Sequence, residues 1–591
     1  MDVFALVPVK LFFAIGLIYL SVKFYQDCRS RNHHLVFWSF LISTISAVIL
    51  AIFSIGKVYP YGFVIDVATG FLIAILLIWL ESKIKNYMLR VLVVFVTIFA
   101  LSLMPLFYIQ HLFLVGAVVN SDSFIAIFQT NFHEAIEYVA SFASPIMVVV
   151  FLLFFYLTYV YSKKYVKKDK EAFSRNEMIR YFVFLVLTLL IVPDEKGLYT
   201  YPFITYASYS KELDTVKQRQ KTYSNASQDM DIKADKKNKG ETYILVIGES
   251  LNKHHMSSYG YKIETTPFLD KERKRDDTVF LERAFANYPG TMAALSLAMT
   301  EANQYNKKKY ADSVGIVQVF NNAGFNTIWL GNQPLSNSYD MVLGYIANHV
   351  NEKHLTFDRK FTTMSDSRQK PDGVLLPLLK ETFAKLDSSK NNVIFIHLMG
   401  NHTHYCKRYP PEFEKFKIPF TEKLWFNLVA GGTGHAQQCY DNSVLYNDYL
   451  IDKIQSQLKT FLGNDKSGGL MYFSDHSDDI ARGIGHSSAN FSYDMVEIPT
   501  IFWASPEYKK QYLTKFKNLQ NNSNKLFSND LVFDSFIGFS GINLNAEHYC
   551  NKCDITNEAY TLSAEDARTM HGKLPYATDK NPFYKQKNNN Q

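Results

Sequence analysis

The 591-residue sequence has only a small excess of basic residues and few cysteines. Each of these two features excludes a class of function. Its 62 Lys and Arg residues exceed its 55 Asp and Glu residues by only seven, and its polar part contains no continuous basic stripe interleaved with aromatic side chains. A nucleic-acid-binding surface needs such a stripe. We therefore expect no nucleic-acid partner.

Only five cysteines occur, and they do not complete a structural zinc ribbon. The sequence Cys550-Asn-Lys-Cys553 is half of such a site, but no second Cys or His pair stands at the required spacing. If the polar part of the chain is extracytoplasmic, we expect the disulfides Cys406–Cys439 and Cys550–Cys553. Free thiols are the alternative, and the sequence leaves the pairing open.

Long hydrophobic runs, in contrast, dominate residues 1–193. Several of these runs reach the roughly 20 residues that cross a bilayer, while the last is short. They comprise residues 5–24, 35–56, 62–81, 88–110, 143–162 and 179–193. We predict a transmembrane domain of five or six spans over residues 1–193. The start Met1-Asp2-Val3 lacks the positive charge of a signal peptide, so we expect the first run to be a retained anchor.

The distribution of basic residues predicts the orientation of these spans. Lys and Arg cluster after the first, third and fifth runs, whereas residues 111–141 contain neither. Basic loops face the cytoplasm by the positive-inside rule. The 111–141 connection, and everything after the sixth run, are therefore expected outside the cytoplasm.

An aromatic stretch and then a polar run over residues 194–240 predict an interfacial segment and linker. In residues 241–591, short runs rich in β-branched and aromatic residues alternate with helical patterns, which predicts an α/β sheet. The expected strands are residues 243–247, 327–330, 393–397, 470–473 and 499–503, and the clearest helix is 436–462.

Polar side chains follow several of these predicted strands. They are Glu249, Asn332, Gln333, His402, Asp475 and His476. Ligands of open α/β sheets bind at the carboxyl ends of the strands. We therefore expect these side chains to converge on one crevice.

Glu249, Asp475 and His476 offer carboxylate and imidazole ligands that suit zinc, although manganese or magnesium would also accept the carboxylates. Thr291 follows Pro289-Gly290 and precedes a helix-forming run, which places its hydroxyl at a helix N-terminus. Beside zinc, a threonine hydroxyl can become a nucleophile for attack on phosphorus. Alone, Thr291 would be an ordinary helix cap, but the combination with three ligands favours the nucleophile.

Two further histidines, His402 and His486, lie in glycine-containing loops. Such loops carry function more often than packing. Either histidine could bind a second metal ion, contact a phosphate or protonate a leaving alkoxide. His397 instead lies within a predicted apolar strand, so we interpret it as a core histidine whose hydrogen bonds are satisfied.

The chain carries a set of motifs that together resemble one family. They are Val246-Ile-Gly-Glu-Ser250, Gly290-Thr291, Gly400-Asn-His402, Tyr440-Asp-Asn-Ser443 and Ser474-Asp-His476. With them the chain resembles the membrane-anchored phosphoethanolamine transferases of the alkaline phosphatase and sulfatase superfamily, which include lipid A modifying and colistin-resistance enzymes. Over essentially the whole chain, the resemblance implies an α-helical transmembrane bundle followed by an α/β sandwich of the alkaline phosphatase/sulfatase type.

The resemblance also implies roles for particular residues. Glu249, Thr291, Asp475 and His476 would bind the catalytic zinc, and Thr291 would carry the phosphoethanolamine. His402 and His486 would line the substrate site or hold a second zinc.

The resemblance implies a second set of residues, which would contact the substrate. Residues 129–134 look like the family's Thr-x-x-x-Glu element, so Thr130, Asn131 and Glu134 would help to hold the ethanolamine head group. A carboxylate such as Glu134 pairs well with a primary ammonium. Asn332 and Gln333 stand where lipid A enzymes place a lysine, and we expect them on the substrate side of the site.

The chain departs from the family pattern at other positions near the site. Ser477-Asp478-Asp479 follows His476, whereas the family commonly has Gly-Glu there. Cysteines that flank the nucleophile in some lipid A enzymes are absent, and Tyr288 and Met299 are typical of the residues in their place. These departures leave the zinc ligands intact and leave the acceptor open.

Together these features predict a zinc-dependent phosphoethanolamine transferase of the bacterial inner membrane, multi-pass and monomeric, with a periplasmic catalytic domain. It would transfer phosphoethanolamine from phosphatidylethanolamine, through a phosphoethanolaminyl-threonine, to lipid A, lipopolysaccharide or another envelope glycan. The resemblance also implies a link to polymyxin resistance. The sequence leaves open the acceptor and whether a second zinc binds.

Three alternatives compete with this prediction. A glycerophosphotransferase using phosphatidylglycerol would share the metal and threonine chemistry, and Glu134 disfavours it. A sulfatase is disfavoured because the chain has no Cys-x-Pro-x-Arg or Ser-x-Pro-x-Arg element. A non-catalytic membrane receptor with a decayed hydrolase domain is disfavoured by the complete set of ligands and nucleophile.

Overall fold

A computed structural model describes most of the chain. The described ranges, apart from Asp214 and a few positions between the first helices, are residues 3–33, 62–115, 145–167, 170–191, 202–211, 232–333, 341–356, 370–421 and 436–576. These residues fall into two compact units, one ending at Lys211 and the other following it in the chain. The boundaries at 193 and 240 stay predictions.

The first unit is mainly helical in its described residues. Among its helices are α1 (Val3–Ser30), α2 (Gly62–Lys83), α3 (Tyr87–Val115), α4 (Pro145–Lys167) and α5 (Arg175–Ile191), and residues 202–211 are helical as well. Two stretches in the described part of this unit are long and apolar enough to cross a membrane, namely Leu11–Ser30 and Val64–Lys83. They are compatible with a membrane region, and the layout of five or six spans stays a prediction.

Charged residues from the basic loops meet at one end of this unit. Arg31, just after α1, pairs with Glu177 of α5 at 2.9 Å. Glu81, near the end of α2, pairs with Lys170 at 2.7 Å and also contacts Arg90. The loops that follow α1, α2 and α4 therefore lie on the same side of the helices, as the alternating charge pattern requires.

The second unit is built on a seven-stranded sheet. In chain order its strands are β1 (Thr242–Gly248), β2 (Thr278–Phe280), β3 (Asn326–Gly331), β4 (Glu352–Leu355), β5 (Asn392–His397), β6 (Gly468–Ser474) and β7 (Thr500–Ala504). Their spatial order is β2-β7-β6-β1-β5-β3-β4, and the five strands from β6 to β4 are mutually parallel. Strand β7 runs antiparallel to both of its neighbours. The predicted α/β sheet is confirmed.

Helices cover both faces of this sheet. They are α6 (Pro267–Glu272), α7 (Thr291–Ala298), α8 (Ile316–Asn322), α9 (Met341–Ala347), α10 (Leu375–Lys385), α11 (Gln437–Leu462), α12 (Pro506–Gln511), α13 (Leu513–Asn522) and α14 (Val532–Phe539). Strand β1 shows why both faces are filled: Tyr243, Leu245 and Ile247 pack on one side, while Ile244 and Val246 pack on the other. Every residue of β1 is buried, as expected for a central parallel strand.

All five predicted strands are present within one or two residues of their expected bounds, and so is the predicted helix, as α11. Within this sheet, the two strands that were not predicted, β2 and β4, lie at its two edges. The predicted disulfides Cys406–Cys439 and Cys550–Cys553 are both formed, and Cys28 is a buried free thiol.

Candidate metal and nucleophile site

Three acidic and imidazole side chains meet at the carboxyl ends of two neighbouring parallel strands. Gly248 of β1 is in register with Ser474 of β6, so Glu249 and Asp475 leave the sheet at the same level. His476 Nε2 lies 3.3 Å from Glu249 Oε1 and 3.4 Å from Asp475 Oδ2. All three side chains are at most 1% exposed. Strand register therefore produces the convergence that the sequence predicted.

Thr291 joins this group from a separate element. Gly290 occupies the N-cap position of α7, and Thr291 is the first helical residue. Its Oγ1 lies 3.2 Å from Glu249 Oε2 and 3.2 Å from His476 Nε2. The hydroxyl thus faces the ligand group at the positive end of a helix, where an anion is favoured.

The donor set fits a zinc ion. One ligand atom each from Glu249, Asp475 and His476 lie within 4.8 Å of one another. Backbone N–H groups of Ser250 and His476 donate to Asp475 Oδ1, while Oδ2 accepts no hydrogen bond from the described residues. A buried carboxylate oxygen that accepts no hydrogen bond, beside an imidazole and a second carboxylate, is the pattern of a metal site.

The protonation of the two carboxylates supports the same interpretation. Burial would raise the pKa of Glu249, but the His476 imidazole beside it holds that pKa well below its usual range. Burial and the charge of Glu249 raise the pKa of Asp475 well above its usual range. Two adjacent carboxylates without a cation share a proton, whereas a bound dication would allow both to ionise.

A pair of buried asparagines supports the nucleophile and a ligand together. Asn529 Nδ2 donates to the carbonyl oxygen of Asp475 at 2.6 Å. Its Oδ1 accepts the backbone N–H and the side-chain N–H of Asn287, at 2.8 and 2.7 Å. Asn529 thereby connects the turn before Thr291 to the strand end that carries Asp475. The sequence analysis did not identify this pair.

Asp478 connects His486 to the site. The sequence analysis noted Asp478 only as a departure from the family pattern. His486 Nδ1 lies 2.7 Å from Asp478 Oδ1, and Tyr405 donates to Asp478 Oδ2 at 2.6 Å. The ring of His486 is 4.2 Å from that of His476. His476, Asp478 and His486 also place one ligand atom each within 4.8 Å of one another, so a second cation would find donors here.

His402 lies in the loop after β5. Arg408, which is itself buried, donates from Nε to the His402 carbonyl oxygen at 3.0 Å and so holds this loop. Burial lowers the pKa of the His402 imidazole to about 4, with Glu249 opposing the shift. His402 is therefore neutral at pH 7.

The structure separates the two neighbours Asn332 and Gln333. Gln333 Nε2 donates to Glu249 Oε2 at 3.2 Å and to the Leu398 carbonyl oxygen at 2.8 Å, so it lies at the site. Asn332 is only 2% exposed, and its Nδ2 donates to Asp372 Oδ1 at 2.8 Å. Asn332 therefore supports the strand ends from within the protein, and its predicted contact with the substrate stays a prediction.

Asp372 is a second supporting residue that the sequence did not indicate. Its carboxylate accepts the backbone N–H groups of Met399 and Gly400, at 2.9 and 2.8 Å. Gly400 has a φ of +48°, and a Cβ there would lie 2.8 Å from the Glu249 carbonyl oxygen. The loop that leads to His402 thus passes directly over Glu249, and only glycine fits at the contact.

Two other predictions have different outcomes. Thr130, Asn131 and Glu134 lie outside the described residues. His397 is a core residue of β5, 1% exposed and packed against Trp329, but neither ring nitrogen has a hydrogen-bond partner among the described residues. Among the residues that the structure describes, the expectation that its hydrogen bonds would be satisfied is not met.

Comparisons with known proteins agree on the family and the fold. The Sulfatase family model matches residues 241–542. The chain is 27% identical over 450 residues to phosphoethanolamine transferase EptC of Escherichia coli O18:K1:H7, covering 72% of this chain and 75% of that protein. It is 28% identical over 306 residues to phosphoethanolamine transferase CptA of Salmonella typhimurium, covering 49% of each.

Solved structures give the same fold. The C-terminal periplasmic domain of E. coli EptC, in complex with Zn, matches with a TM-score of 0.51 at 23% identity, covering 59% of this chain and 96% of that one. Integral membrane lipooligosaccharide phosphoethanolamine transferase A from Neisseria meningitidis matches with a TM-score of 0.59 at 18% identity, covering 88% of this chain and 97% of that one.

Proposed function

Because the chain belongs to the sulfatase family of the alkaline phosphatase superfamily, we propose that it is a zinc-dependent phosphoethanolamine transferase. The observation that carries the proposal is the position of Thr291 Oγ1, 3.2 Å from both Glu249 and His476. The relatives that are phosphoethanolamine transferases give the transferred group. The zinc complex of the EptC domain supports the choice of metal.

Glu249, Asp475, His476 and Thr291 would hold the zinc. A zinc ion bound there would lower the pKa of the hydroxyl group and stabilise negative charge on phosphoryl oxygens. Gln333, through its hydrogen bond to Glu249, orients one of the ligands. The chain's own residues then determine where the substrate and the protons go.

In the first step Thr291 releases its hydroxyl proton to solvent, and its Oγ1 attacks the phosphorus of phosphatidylethanolamine. A new P–O bond forms on Thr291 while the bond from phosphorus to the diacylglycerol oxygen breaks, and diacylglycerol leaves. Its oxygen needs a proton, which His486 can deliver because Asp478 holds Nδ1 and fixes the ring. The neutral His402 can hydrogen-bond the phosphoryl group.

In the second step an acceptor oxygen on lipid A, lipopolysaccharide or another envelope glycan attacks the same phosphorus. The bond to Thr291 breaks, and Oγ1 takes a proton back from solvent, which restores its hydroxyl. The acceptor gives up a proton as it attacks, and the histidine that lost one in the first step can take it. The cycle therefore closes without another reactant.

The donor's head group and the cellular location complete the proposal. Thr130, Asn131 and Glu134 would hold the ethanolamine ammonium, since a carboxylate pairs with a primary amine. The candidate spans Leu11–Ser30 and Val64–Lys83 support a multi-pass protein of the bacterial inner membrane. The catalytic domain would then act in the periplasm, next to its lipid donor.

Mass spectrometry of the full-length protein incubated with phosphatidylethanolamine tests the covalent step. We expect a phosphoethanolamine adduct on the peptide that contains Thr291, and neither an adduct nor transfer in Thr291→Ala. Full transfer by the alanine variant would exclude the mechanism. A glycerophosphate adduct from phosphatidylglycerol would instead identify the other transferase. Metal content of the wild type and of His486→Ala would count the zinc ions.

A further inference from the structure

The last described segment of the chain, residues 567–576, packs against the turn that carries the nucleophile. This segment lies beyond residues 241–542, the part that matches the family model. Thr569, which is fully buried, donates from Oγ1 to the Ala286 carbonyl oxygen at 2.9 Å. Tyr576 stacks on Phe285 with ring centroids 4.2 Å apart. The segment is therefore fixed along the chain that leads to Thr291.

His571 contacts this turn on both sides of Thr291. Its backbone N–H donates to the carbonyl oxygen of Asn287, four residues before Thr291, at 3.1 Å. Its Nε2 lies 3.1 Å from the carbonyl oxygen of Ala293, two residues after Thr291. Because a carbonyl oxygen can only accept, Nε2 carries the hydrogen. The ring also lies 4.6 Å from the ring of Tyr288.

The backbone around His571 is held in an uncommon conformation. Met570, His571 and Gly572 have φ values of +54°, +52° and +81°. Residues with side chains seldom adopt this left-handed region, and they do so where the surroundings impose it. Gln304 is one such constraint, since its Oε1 accepts the Gly572 N–H at 2.7 Å and its Nε2 donates to the Arg568 carbonyl oxygen at 2.8 Å.

We propose that His571 is a positioning residue for Thr291. By bonding to Asn287 and Ala293 it holds the turn over residues 287–293, and this keeps Oγ1 of Thr291 facing Glu249 and His476. Asn529 holds the same turn from the buried side, and His571 holds it from the exposed side. The inference rests on the proposed function, because it gives Thr291 the role of nucleophile.

Two substitutions separate the hydrogen bond from the ring contact. His571→Phe keeps a ring against Tyr288 but removes the donor to Ala293, whereas His571→Gln keeps a side-chain N–H. Lys573→Ala, an exposed change two residues later, is the matched control. We expect His571→Phe to slow single-turnover formation of the Thr291 adduct about tenfold, as loss of one hydrogen bond to the turn would. His571→Gln should recover most of the rate, and Lys573→Ala should match the wild type.

Hydrogen–deuterium exchange on the same full-length proteins gives a readout that does not depend on activity. We expect faster exchange in His571→Phe for the peptide covering residues 286–299, with an unchanged Tm. Unchanged exchange in this peptide would overturn the proposal, and so would faster exchange with a wild-type rate of adduct formation. If the wild type forms no adduct and Thr291→Ala still transfers, the proposed function fails, while the exchange result still decides whether His571 holds the turn.

Discussion

His397 is a buried histidine, and its burial is expected to make the stability of the protein depend on pH. It is enclosed in β5, and burial lowers the pKa of its imidazole to about 4 from an ordinary value of 6.5. The unfolded chain therefore binds a proton between pH 6.5 and pH 4 that the folded protein does not bind. The contribution of the neutral His397 to the free energy of unfolding is fully present above pH 6.5. It falls as the pH decreases through this window.

We predict that His397→Phe flattens this pH dependence. Two and a half pKa units correspond to about 3 kcal/mol, so the variant should gain up to this amount relative to the wild type at pH 4. At pH 7 it should be at least as stable, because the replaced ring nitrogens have no hydrogen-bond partner among the described residues. Thermal unfolding from pH 4 to 7.5 measures this, with His354→Asn on the half-exposed edge strand as control. Parallel pH profiles for His397→Phe and the wild type would contradict the prediction.

The four residues proposed to hold the zinc were predictable from sequence because three of them follow strands and one opens a helix. Their supporting residues were not. Asn287 and Asn529 are separated by 242 positions, and no local pattern indicates that they meet. Asp478 was visible only as a departure from a familiar motif, and its contact with His486 depends on the fold of a glycine-containing loop.

At the scale of elements, sequence prediction succeeded where a strand is both long and buried. Strands β1, β5 and β6 are buried at every residue, so their apolar runs were unambiguous. Strand β2 has three residues, and β4 is polar and half-exposed, so neither produced a continuous apolar run. Edge strands are determined by pairing with a neighbour more than by their own composition.

The disulfide Cys406–Cys439 connects the loop after His402 to helix α11, and we predict that its removal is costly. The paired cysteines are 33 residues apart, so loop-closure entropy corresponds to about 3–4 kcal/mol of stability. The Cys550–Cys553 disulfide, with a separation of three, corresponds to about 2 kcal/mol. Replacing each pair by serine and measuring Tm and transfer activity tests this.

The two serine pairs should differ in a second way. Loss of Cys406–Cys439 should reduce activity beyond its effect on Tm, because the loop that carries His402 loses an attachment. Loss of Cys550–Cys553 should leave the rate of the folded enzyme unchanged. Equal effects of the two serine pairs on Tm and activity would contradict the prediction that only Cys406–Cys439 supports the loop that carries His402.

At the scale of the whole molecule, the meeting of basic loops at one end of the helical unit predicts an orientation. Arg31, Arg90 and Lys170 all belong to this end, which the positive-inside rule assigns to the cytoplasm. Single cysteines introduced at Arg29 or Lys85 should therefore be protected in intact spheroplasts from a maleimide that cannot cross membranes. A cysteine at the exposed position of Lys517 should be labelled.

Cell lysis provides the control for this labelling, because it should expose Arg29→Cys and Lys85→Cys to the same reagent. Labelling of Lys517→Cys only after lysis would place the catalytic unit in the cytoplasm and contradict the periplasmic assignment. Cys28 is buried and the other four native cysteines are paired, so the native background should be low.

The register between β1 and β6 has a consequence for how such chains diverge. Main-chain hydrogen bonds along residues 242–248 and 468–474 set the height of Glu249 relative to Asp475, and the side chains of these strands need only fill the core. Substitutions among apolar residues can therefore accumulate through the sheet without moving the ligands. Insertions or deletions within the two strands cannot, since one residue of slip would separate the carboxylates. Lineages carrying this chemistry are thus free to drift in composition and constrained in strand length.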